Sequence, residues 1–143
     1  MSETKEIGIG REMHQEILAK VPVYANAAVA DYVGRIGQQL ARDSDRPGLE
    51  YTFTVLDSPD INAFATPGGY VYINRGLLAY LQSEAELAAV LAHEIAHITE
   101  RHASRQDVMA KTSSVASLAL GVLAAIGTGS GAVGGVAQDA ASS

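Results

Sequence analysis

The sequence predicts an α+β domain, mostly helical, with a small antiparallel sheet packed beside one long helix. Three observations carry that expectation: apolar residues recur at helical spacing in several stretches, they alternate over short runs between residues 51 and 73, and Pro- and Gly-containing turns separate the two patterns. The first helix is read over Glu3–Lys20 and ends ahead of Pro22, which lacks the amide a helix needs. A second is read over Ala27–Arg42, where Val29, Val33, Ile36 and Leu40 share a face, and the loop DSDRPG closes it. The period then changes, with Tyr51, Phe53 and Val55 on one side and Thr52, Thr54 and Leu56 on the other, as a strand requires. A further extended run, Asn62 to Ala65, leads into TPGG, where Pro67 and Gly68 suit a type II turn, and YVYI at 70–73 returns as its partner. Ser83 followed three residues later by Glu86 is a capping-box signature, and Glu84 and Glu86 favour the positive end of a helix. A helix from Glu84 to about Asp107 is therefore expected.

The 143 residues suit one ordinary domain, and 48% hydrophobic content with 18% charge is enough to build a core. A net charge of −6 and the lack of any basic stripe argue against nucleic-acid binding and direct attention to a protein or peptide partner. Cysteine is absent, so disulfides and thiolate metal ligands are excluded and His, Asp and Glu remain as donors. The polar start, MSETKEIGIG, does not read as an export signal. Charge divides the chain into a front region, 1–111, and an apolar, Gly-rich segment, 112–143, whose one charge is Asp139. Within that segment the apolar run 115–126 is too short and Gly-broken for a membrane span. It reads as a buried helix or hairpin, or as a segment for peripheral membrane or partner contact.

VLAHEIAHITERH, Val90 to His102, holds three of the four histidines. At about 100° per residue, His97 lies about 40° round from His93 and one turn along, while Leu87, Leu91, Ile95 and Ile98 occupy the opposite side at about 120–200°. The aliphatic face is expected to anchor the helix and both imidazoles to face away from it, four residues apart, as two zinc ligands require. Glu94, at about 100°, falls at the margin of that face, placed to touch a metal-bound water without ligating the metal. His102 points with the apolar side and reads as a helix-end contact, Glu100 as a solvated charge and His14 as a lone histidine without a role.

HEIAHITERH, preceded by NAFATPGGYVYINRGLL and SEAELAAVLA, resembles the HtpX-like and CAAX-prenyl-protease-like family of zinc metallopeptidases, in particular its soluble BepA-type envelope branch. The resemblance covers roughly residues 5 to 110 and implies a gluzincin architecture, with a small sheet beside a helix that carries two histidine ligands and a general base. It matches His93 and His97 to the ligands, Glu94 to the base, and Zn²⁺ to the cofactor. The family's third ligand is a glutamate in a Glu-x-x-x-Ala-Asp context on a later helix. No glutamate follows Lys111, and Asp139 stands in VAQDAASS, so the third metal ligand is left unassigned. The chain is accordingly expected to be the front part of a catalytic domain. The resemblance further implies an endopeptidase for misfolded or unassembled proteins of a bacterial envelope, in the periplasm. The run Asn62, Ala63, Phe64 and Ala65 is then an edge strand pairing with substrate backbone, against an ordinary hairpin arm as the plainer reading. The competing class of function is a chaperone-like or scaffold module that binds unfolded proteins without cutting them.

Overall fold

The computed structural model describes residues 2–100. The elements follow in the order α1 (Glu3–Lys20), α2 (Ala27–Arg42), β1 (Thr52–Leu56), β2 (Ala63–Thr66), β3 (Tyr70–Asn74), α3 (Arg75–Tyr80) and α4 (Glu84–Thr99). This is the expected α+β class, and α1 and α2 have the expected limits. The short α3 was not anticipated, because six residues are too few for a periodic signal. The 101–107 part of the expected last helix, the boundary at 111 and the run 115–126 lie outside the described residues. Among the described residues no helix is long and apolar enough to cross a membrane.

The sheet corrects one expectation. β2 and β3 form the antiparallel hairpin read from TPGG, with Phe64 opposite Tyr72, but β1 pairs with the far side of β3 in parallel, Thr52 opposite Tyr70 and Leu56 opposite Asn74. The order is β1-β3-β2 and the sheet is mixed. Alternation of side chains is blind to strand direction, so it gave three strands without their order. The connection after β1 carries the chain past the position that β3 later fills, which leaves β2 outermost.

One face of the sheet packs on α2 and α4, where Val33, Val55, Val71, Ile73, Leu91 and Ile95 are all buried in one cluster. α1 meets the hairpin turn at Gly10: a Cβ there would come within 1.8 Å of the Pro67 carbonyl oxygen, so glycine alone permits the approach. Gly68 and Gly69 hold φ of 86° and 91°, the left-handed values the turn demands. His14 of α1 stacks on Tyr70, with ring centroids 4.8 Å apart, and its Nδ1 lies 2.7 Å from the Tyr72 hydroxyl. The histidine set aside as lone thus fastens α1 to the sheet, and burial lowers its pKa.

Candidate metal centre

α4 begins where local chemistry tells it to. The Ser83 hydroxyl accepts from the Glu86 amide at 3.2 Å, and the Glu86 carboxylate accepts from the amides of Ser83, at 3.0 Å, and of Gln82. Burial of Leu87, Leu91, Ile95 and Ile98 then sets the rotation of the helix, as the projection required. That rotation decides where the histidines go.

His93 and His97 meet. Their Nε2 atoms are 3.2 Å apart and their rings stand nearly perpendicular, at 83°, with centroids separated by 4.6 Å. Two imidazole nitrogens bound to one tetrahedral zinc at about 2.0–2.1 Å are themselves about 3.3 Å apart, so this pair is already spaced to share an ion. Both rings are half-buried rather than fully solvated. α4 packs on two sides, against α2 and against β2, and the strip left to solvent is narrower than a projection of the isolated helix allows.

Glu94 departs further from expectation. Placed by its angle at the margin of the open face, it is 0% exposed, and among the described residues neither carboxylate oxygen has a hydrogen-bond partner. Burial pushes its pKa up to about 8. A carboxylate rarely remains buried without a partner, because desolvating it costs several kcal/mol. The orphaned oxygens beside two converging imidazoles therefore fit a centre whose remaining members are a cation and its water. Among the described residues no third His, Asp or Glu joins the pair. Glu100 is exposed at the end of α4, and His102 and Asp139 lie outside the described residues.

The strand beside this helix is β2, preceded by Asn62. The Asn74 amide donates to the Asn62 carbonyl at 3.0 Å, which makes Asn62 and Asn74 a hydrogen-bonded pair. Bonding alternates along an antiparallel ladder, so Phe64 is also bonded to β3, while Ala63 and Ala65 turn their amides and carbonyls toward the outer edge. The Phe64 ring stacks on buried Tyr72 at 4.7 Å, and the Asn62 Oδ1 is buried without a partner among the described residues. The four residues named from sequence thus divide into two that hold the strand and two that face outward.

Sequence reasoning missed Arg46. Its guanidinium joins Glu6 of α1 to the Ile98 carbonyl near the end of α4, a link between residues 40 and 52 positions apart for which no local pattern exists.

Comparison with known proteins points to a peptidase family. The family model described as Peptidase family M48 matches residues 27–140. A Vibrio cholerae relative, whose name gives beta-barrel assembly-enhancing protease in provisional form, is 38% identical over 108 residues, which are 73% of this chain and 22% of that protein. The "Beta-barrel assembly-enhancing protease" of Escherichia coli K12 is 30% identical over 69% of this chain and 22% of its own length. The "Mitochondrial metalloendopeptidase OMA1" of Schizosaccharomyces pombe is 36% identical over 58% of this chain and 25% of its own. The chain thus spans about a fifth of the length of the bacterial relatives it matches.

Proposed function

The chain belongs to peptidase family M48, and from that premise we propose that it carries metal-binding and base residues of a zinc-dependent endopeptidase site acting on protein substrates. The single observation that carries the reading is the 3.2 Å approach of the His93 and His97 Nε2 atoms beside the orphaned Glu94 carboxylate. His93 and His97 would hold the metal; the third ligand is unassigned. When bound, zinc supplies Lewis acidity, polarising a peptide carbonyl and lowering the pKa of water toward about 7. Glu94 takes the proton that the attacking water gives up and delivers it to the leaving nitrogen. Its burial suits that task, since desolvation raises the basicity of the carboxylate and so its readiness to take a proton.

β2 supplies the substrate platform in this proposal. The outward amides and carbonyls of Ala63 and Ala65 offer an unfolded polypeptide a strand to pair with, a mode that recognises backbone more than side chains. Asn62 and Phe64 support that edge by their bonds to β3. Such recognition suits misfolded or unassembled proteins; the bacterial relatives are named for beta-barrel assembly, and the proposal accordingly takes the substrates to be proteins of a bacterial envelope, met in the periplasm.

Two variants test the assignments. Glu94→Gln is expected to retain zinc and fold while abolishing cleavage of an unfolded casein-like substrate; cleavage at the parental rate rejects Glu94 as the base. Ala65→Pro removes an outward amide without breaking the ladder to β3. Peptide affinity should drop at least tenfold with the fold intact, and unchanged affinity would return β2 to the status of a plain hairpin arm. Zinc-free protein that still captures unfolded chains as well as the loaded form would favour the non-catalytic module instead.

A further inference from the structure

Arg46 lies in the loop between α2 and β1, and its backbone is fixed before its side chain reaches anything. Pro47 biases it toward extended geometry. Its amide donates to the Ser44 Oγ at 3.3 Å, and its carbonyl accepts from the Tyr51 hydroxyl at 3.1 Å and the Leu49 amide at 3.3 Å. From that platform the guanidinium forks onto Glu6, with Nη1 2.8 Å from Oε2 and Nη2 3.1 Å from Oε1. Nη1 also lies 3.3 Å from the Ile98 carbonyl oxygen. Glu6 is 3% exposed, so this is a buried pair, whereas the contact of Nη2 with Glu3 at 3.2 Å is open to solvent and adds little.

A buried ion pair contributes little stability compared with apolar side chains of the same volume, so stability alone does not account for this one. What a guanidinium has and an apolar side chain lacks is direction: three bonds of fixed angle, two to α1 and one to the last turn of α4. Ile98 directly follows His97, and the last turn of a helix is where fraying begins. A cation on a carbonyl there also suits the negative end of the helix dipole.

We propose that Arg46, held by Glu6, is a positioning residue that fixes the last turn of α4 and keeps His97 within reach of the ion His93 binds. The inference rests on the metal-site reading above and adds the device that holds one ligand in place. It also gives α1 a function: the helix precedes the stretch matched by the family model, yet it anchors the residue that anchors the metal helix.

The test uses the 143-residue chain and Co²⁺ as a spectroscopic probe. The double variant Glu6→Leu/Arg46→Met removes both charges and leaves neither stranded; Arg46→Lys keeps the charge on Glu6 but lacks the fork. Supports of metal ligands commonly contribute ten- to a hundredfold to affinity. Co²⁺ affinity, read from visible absorption, should weaken about tenfold in the double variant and less in Arg46→Lys. In the same protein without metal, amide exchange over residues 96–100 should quicken about tenfold while residues 87–91 keep the parental rate. Parental Co²⁺ affinity in either folded variant, or exchange that quickens uniformly along α4, would overturn the proposal. If the parent binds no Co²⁺, or binds it without His93 and His97, the metal reading fails. The exchange contrast then judges the clamp alone, local quickening supporting it and uniform quickening refuting it.

Discussion

The two ends of α4 are held by opposite strategies. At the amino end everything needed lies within five residues: Gln82, Ser83 and Glu86 satisfy one another in a capping box, with Glu84 and Glu86 completing the electrostatics. At the carboxyl end, beside the histidines, the restraint comes from afar, through Arg46 of one loop and Glu6 of another helix. The difference teaches that a helix can be started by its own sequence and still depend on the tertiary fold for the placement of the side chains that do chemistry.

Breaking the distant restraint should cost most. Arg46→Ala takes from the buried Glu6 carboxylate the guanidinium that forks onto it, and loss of one partner of a buried pair typically costs about 3–5 kcal/mol, to be measured as a drop in urea unfolding free energy. The local restraint is weaker. Ser83→Ala should lower stability by about 1 kcal/mol in the same titration, the usual contribution of a helix cap. If the two losses prove equal, the contrast between the ends does not hold.

The smallest effect is expected at the second attachment of α1. His14 has its pKa lowered by burial, so the folded protein binds a proton there less readily than the unfolded chain. Its contribution is complete above the ordinary value of about 6.5 and declines as pH falls below it. His14→Phe should therefore make the loss of stability between pH 7 and 5 shallower, by unfolding midpoints across that range. An unchanged slope would mean that the imidazole beside the Tyr72 hydroxyl does not sense acidification.

The same contrast explains what could be read in advance. α1, α2, the hairpin and the start of α4 are encoded by neighbours in sequence: Pro22 stops α1, Ser83 caps α4, Pro67 and the glycines turn, and apolar spacing marks the buried faces of α2 and α4. The facing of His93 and His97 followed from helix geometry alone. Strand order was not legible, because alternation carries no information about which strand lies beside which. The depth of Glu94 was not legible either, since an angle on a wheel cannot include the packing of α4 against β2. Arg46 and His14 stayed hidden for a third reason: their roles lie in partners tens of residues away, and a single Arg or His in a loop or helix gives no periodic signal.

Zinc K-edge absorption of the metal-loaded chain tests the central claim most directly, because it sees the ligand atoms whether or not the protein cleaves anything. Two imidazoles in a nitrogen and oxygen shell at about 2.0–2.1 Å, one of them lost in His97→Ala and the other in His93→Ala, is the result expected. Zinc bound without imidazole scattering, or with a spectrum that neither substitution alters, would contradict it.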